Sequence, residues 1–143
     1  MTDAGQLAET LTRVLAVREE VLDAYLFGSW ASARAQPHSD IDVAVYVDPA
    51  RTPDTPFGYP AELTTALMGA HGVNCVDVVV LNYAPPLLYH RVLRDGVRLV
   101  SRDGRATTTR EGDALSRYCD YVPQLAKIDA AHRARMARPE SMR

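Results

Sequence analysis

With 143 residues, 24% of them charged, and a net charge of −2, the chain is long enough for one independent core and carries no basic field of the kind a nucleic-acid duplex demands. Its two cysteines, Cys75 and Cys119, sit in no CxxC spacing, which argues against a disulfide framework or a zinc site, and no apolar run approaches the length of a membrane span. No basic segment followed by an apolar core opens the chain, so no secretory signal is read and a reducing, cytoplasmic compartment is the expectation.

Leu7, Leu11, Val14 and Leu15 recur at helical spacing and predict a first helix over residues 3–19. The apolar run Val21–Phe27 predicts a strand that ends in Gly28-Ser29, followed by a short helical piece over residues 30–35. Pro37-His38-Ser39 returns the chain to a second hydrophobic strand, Ile41–Val47, headed by Asp40 and carrying Asp42. Pro49, Pro53, Pro56 and Pro60 with Gly58 make a loop that cannot pair regularly, and residues 61–69 predict a helix after it. Residues 74–81 form a β-branched run with one carboxylate, Asp77, within it. Pro85-Pro86 can open a helix whose apolar face is Leu87, Leu88, Val92 and Leu93 and which Asp95-Gly96 closes. A short strand at 97–100 and a long C-terminal helix from about Thr107, expected to bend near Pro123, complete the chain. The expected fold is α+β: a small mixed β-sheet with helices packed mainly on one face, residues 1–143 forming one domain.

The chemistry concentrates at three places. In a strand, alternate side chains share a face, so Asp40 and Asp42 project together while Ile41, Val43 and Val45 face the other way. Two adjacent carboxylates repel each other unless cations stand between them, and Mg²⁺ accepts such oxygen ligands while keeping positions for substrate phosphates. Asp77 joins them, because a carboxylate in an apolar strand is costly unless paired or bound to metal. The Gly28-Ser29 turn offers backbone N–H groups and a hydroxyl to an anion. Each part alone has a plain explanation: Gly-Ser as a turn, Asp-x-Asp as a strand start or cap, Asp77 as an edge charge. The order of all three is what carries information.

That order, a strand ending in Gly28-Ser29, ten residues, Asp40-Ile41-Asp42, then Asp77 on a later strand, resembles the nucleotidyltransferase superfamily of DNA polymerase β over roughly residues 20–121. Within it the chain is most similar to the minimal nucleotidyltransferases that act as antitoxins to HEPN ribonuclease toxins, through the segment Leu87, Arg91-Val92-Leu93-Arg94-Asp95-Gly96-Val97-Arg98-Leu99 and the later Arg110 and Asp120-Tyr121-Val122-Pro123. The resemblance implies transfer of AMP from ATP, with Asp40, Asp42 and Asp77 holding two Mg²⁺ ions and Asp77 able to take a proton from the attacking hydroxyl. It implies Gly28 and Ser29 on the β- and γ-phosphates, a tyrosine hydroxyl of the HEPN toxin as acceptor, and no stable contact with nucleic acid. These proteins often carry Arg-Gly at the third and fourth places after the Ser; here those places hold Ser32 and Ala33, and Arg34 is the adjacent substitute.

Two other classes stay open on the same residues: a transferase acting on a small aminoglycoside-type hydroxyl, and an antitoxin that only binds. His38 reads as a loop residue, Trp30, Tyr46 and Tyr83 as packing residues, and His71, His90 and His132 have no metal-ligand spacing. The arginine-rich stretch 130–143 reads as a solvated helix end.

Overall fold

Leu7, Leu11 and Leu15 fall on one side of a 3.6-residue period, and all three are completely buried on the inner face of α1 (Ala4–Ala16). This is a computed structural model, and it describes residues 4–32, 35, 39–71 and 75–137. After α1 come β1 (Val21–Phe27), β2 (Ile41–Val47), α2 (Tyr59–His71), β3 (Val76–Val80), α3 (Pro86–Asp95), β4 (Val97–Ser101) and α4 (Gly104–Met136). Single 3₁₀ turns at Gly28–Trp30 and Leu81–Tyr83 follow β1 and β3.

The four strands form one mixed sheet in the order β3-β2-β1-β4. β1 runs antiparallel to both neighbours, whereas β2 and β3 are parallel, and a parallel pair needs a crossover, which α2 supplies. Alternation along the strands divides the core in two. Ile41, Val43 and Val45 of β2 turn with Val21 and Leu26 toward Leu7, Leu11 and Leu15 of α1 and Leu63 and Leu67 of α2. Tyr25 and Ala44 turn the other way, under Leu81, Tyr89, Val92 and Ala114 of α3 and α4. The mixed sheet and the long last helix are as expected, and the alternate set of β1 and β2 (Tyr25, Ala44) is apolar enough to need the cover that α3 and α4 give it.

Where bounds differ from the sequence reading, local chemistry accounts for it. Pro60 is tolerated in the first turn of α2, so that helix starts at Tyr59 instead of after the prolines. Asp103 caps α4, its carboxylate accepting from the N–H groups of Arg105 (3.1 Å) and Ala106 (3.3 Å), which sets the start at Gly104. α4 then continues through Pro123 as one helix of 33 residues. The turn after β3 is pinned by Asn82, whose side chain donates to the Val47 carbonyl at 2.8 Å and accepts from the Val47 N–H at 2.9 Å. Trp30 is buried in the first core, its indole N–H donating to the Ser39 carbonyl at 3.2 Å, in keeping with a packing role. Among the described residues, no helix is long and apolar enough to cross a membrane.

Candidate functional site

The end of β1 and the start of β2 meet because the two strands are antiparallel, and their register sets Phe27 beside Asp42. The next residue, Gly28, has φ +76°, a conformation in which any L side chain is strained. Space forbids a side chain as well: a Cβ at Gly28 would run into the Asp42 carboxylate, at 3.2 Å from its Cγ and closer still to one oxygen. The backbone of the Gly28-Ser29 turn therefore lies directly against Asp42. On the other flank, β2 and β3 are in parallel register with Asp42 opposite Asp77, so these two carboxylates leave the same face of the sheet on adjacent strands. Asp40 precedes β2 and is exposed, Asp77 is exposed, and Asp42 between them is half-buried.

Electrostatics couple the three by repulsion. The Asp42 carboxyl is held above its ordinary pKa, first by burial, then by the charge of Asp77 and then by that of Asp40. The carboxylates do not close into a ligand cage on their own: among the described residues, no three His, Cys, Asp or Glu side chains stand grouped to hold an ion. Oxygen donors of this kind that disfavour one another's charge suit a hard divalent cation, so the residues fit the expected metal.

The third wall of the site was not legible in the sequence. A cleft of about 640 Å³ opens over Gly28, Ser29 and Ser32, and its far side is α3, which contributes Leu88, Arg91, Arg94 and Asp95. Ser32 folds its hydroxyl back on the turn, donating to the carbonyls of Gly28 and Ser29, both at 3.3 Å. Arg34, the cation expected near the turn, lies outside the described residues, as does His38. Residues 88, 91 and 95 fall on one helical face, a pattern visible in the sequence, but nothing in it says that this face meets the Gly-Ser turn.

At the opposite end of the same sheet face stands another carboxylate. Asp23 is completely buried, and Arg110 of α4 grips it with two N–H groups at 2.7 and 2.8 Å while the Thr107 hydroxyl donates at 2.6 Å. Beside it, the Tyr25 hydroxyl donates to Glu111 at 2.6 Å, and burial with that carboxylate pushes the phenol well above its normal pKa. Every charge in this cluster is answered, so it reads as a clamp between the sheet and α4 and not as a reaction centre.

The family model described as polymerase beta, nucleotidyltransferase, matches residues 9–105. Among solved structures, the chain is similar to a toxin-antitoxin complex crystallised with AMP-PNP, at 26% identity and a TM-score of 0.71 over 87% of this chain and 98% of that one. It is similar to a minimal nucleotidyltransferase at 32% identity and a TM-score of 0.56 over 67% of this chain and 95% of the other. The fold is also that of a complex from Shewanella oneidensis between a tri-AMPylated HEPN toxin and its MNT antitoxin, with 24% identity, a TM-score of 0.67, and coverage of 90% and 98%. No curated protein matches in sequence.

Proposed function

We propose, for a chain that belongs to the polymerase beta nucleotidyltransferase family, that it is an antitoxin-type protein adenylyltransferase, moving AMP from ATP to a tyrosine hydroxyl of a HEPN ribonuclease toxin and thereby neutralising it. The observation that carries this reading is the register of Asp42 and Asp77 on adjacent strands, with the Gly28 turn packed so closely on Asp42 that a Cβ there would meet its carboxylate. The similar chains support the partner, since they are components of toxin-antitoxin complexes, one of them with AMP-PNP and one with an AMPylated HEPN toxin.

In this reading the acceptor oxygen attacks the α-phosphorus, the bond from that phosphorus to the bridging oxygen breaks, and pyrophosphate leaves. Gly28 and Ser29 present N–H groups and a hydroxyl to the β- and γ-phosphates, and the absence of a Cβ at Gly28 lets this turn lie against Asp42. Asp77, exposed at the mouth of the site, takes the proton of the attacking hydroxyl. Mg²⁺ held by Asp40, Asp42 and Asp77 would polarise the transferred phosphoryl group and stabilise the leaving pyrophosphate. A phenol suits the acceptor role because its pKa of about 10 is low enough for a positive environment to bring it toward neutrality. A phosphate ester placed on the toxin adds negative charge that repels RNA.

Co-expression with a HEPN toxin encoded beside this gene tests the proposal. The toxin should gain the mass of one or more AMP units, and Asp40→Asn/Asp42→Asn should restore toxicity with transfer lower by about a thousandfold or more, the scale on which several kcal/mol of charge stabilisation is lost. Full neutralisation by that double variant, with no mass added to the toxin, would replace transfer by plain binding.

A further inference from the structure

The five described residues of the phosphate turn, Gly28, Ser29, Trp30, Ala31 and Ser32, carry no charge, and Asp42, itself in the field of Asp77 and Asp40, lies against Gly28. A triphosphate brought to this place meets a field of its own sign, so a cation reaching in from another element would add to the Mg²⁺ of the proposed reading in holding the terminal phosphates. Among the described residues, the cleft over the turn has two candidates, both from α3. Arg94 is already engaged: Asp95 takes it in a two-point ion pair at 3.0 and 2.8 Å, which competes with a ligand for the same N–H groups. Arg91 is exposed, lines the same wall three residues from Leu88, and makes no ion pair among the described residues.

We infer that Arg91 is the triphosphate-positioning residue, holding the β- and γ-phosphates from across the cleft while the Gly28-Ser29 backbone holds them from below. The inference rests on the nucleotidyl-transfer reading and adds a residue to it. Arginine suits the task, since its planar fork meets two phosphate oxygens at once, a geometry that lysine's point charge lacks. The cleft also explains the direction of the nucleotide. Arg91 lines the cleft with Ser29 and Ser32 on the side of the turn bounded by α3, whereas Asp42 lies against Gly28 with Asp77 beside it on β3, so the terminal phosphates belong under α3 and the α-phosphate toward the carboxylates.

Titration calorimetry with Mg²⁺ and, in turn, ATP, inorganic tripolyphosphate and AMP tests this on the wild type and on Arg91→Ala, Arg91→Lys and Arg94→Ala. Arg91→Ala should weaken ATP and tripolyphosphate by roughly ten- to a hundredfold, the scale of one charged hydrogen-bonding contact, and leave AMP unchanged. Arg91→Lys should recover part of the loss, and Arg94→Ala should cost less than Arg91→Ala because Asp95 already answers that charge. In the transfer assay the Arg91→Ala defect should fall on KM for ATP and not on kcat. Because Arg91 is exposed, an unchanged Tm should accompany these effects. Wild-type affinity for ATP and tripolyphosphate in Arg91→Ala would overturn the inference and leave the nucleotide reading standing, and an equal loss for AMP would overturn it by moving the contact off the terminal phosphates. A wild type that binds neither ATP nor tripolyphosphate would overturn both.

Discussion

Asp23 and Asp42 sit on neighbouring strands and face the same side of the sheet, yet they have opposite surroundings. Asp23 is sealed from solvent and meets Arg110 and Thr107. Asp42 is half open, and its nearest charged neighbours are two more carboxylates. The fold neutralises a buried acid at one end of the sheet and leaves acids opposed at the other, the end where the proposed reading puts the cation and the reaction.

The largest effect belongs to the answered end. Arg110→Ala strands the Asp23 charge in the core and should lower unfolding free energy by about 3 kcal/mol or more in a urea titration. Adding Asp23→Asn to that variant removes the orphaned charge and should recover much of the loss; no recovery would mean that Arg110 acts by packing on Tyr46, over whose ring its guanidinium lies at 5.0 Å.

At the open end, Gly28→Ala should cost about 1–3 kcal/mol, because the new Cβ meets both a strained φ and the Asp42 carboxylate. The double variant with Asp42→Ala relieves the collision and not the backbone strain, so it should regain only part of the loss, a non-additivity that denaturant midpoints resolve. Mg²⁺ comes next in size. At ten times its dissociation constant the ion should stabilise the wild type by about 1.4 kcal/mol and leave Asp40→Asn/Asp42→Asn unmoved, as read by Tm.

Smallest is the effect of Asp42 on the metal-free protein. Its folded-state pKa lies above the unfolded one, so the folded chain holds the proton more tightly, and stability present at acid pH is lost as pH rises through the raised value. Asp42→Asn should therefore raise Tm by a few degrees near neutral pH and leave it unchanged at acid pH, opposite in sign to the Arg110 variant. A lowered Tm would show that the cluster is not in mutual opposition.

Much of the fold was legible because its strands announce themselves. Val21–Phe27 and Ile41–Val47 are apolar runs punctuated by Gly28 and Pro37, and β3 falls inside residues 74–81 for the same reason. Asp42 and Asp77 could be singled out because a carboxylate in an apolar strand is an anomaly in one dimension. Asp23 is equally anomalous within Val21–Phe27, but its answer is Arg110, 87 residues away, and no local pattern pairs them. The cleft under α3 was hidden for a similar reason. Gly96 ends that helix in the sequence, but its close approach to the Leu26 carbonyl, 3.1 Å from where a Cβ would stand, is a tertiary fact, as is the cleft that Arg91 lines with the Gly-Ser turn.

At 1.5 Å per residue, α4 is about 50 Å long, and from Val122 to Ala137 only Leu125 is even half-buried. A helical stretch of that length without tertiary cover is marginal in water, and the Arg133–Asp129 pair at 3.1 Å adds a few tenths of a kcal/mol. Amide exchange along this one helix should therefore fall into two regimes: slow near Thr107 and Ala114, where global unfolding is needed, and fast beyond Val122, where fraying suffices. The far half is thus a built-in reporter, since any molecule that settles on it would slow exchange at amides that the isolated chain leaves open.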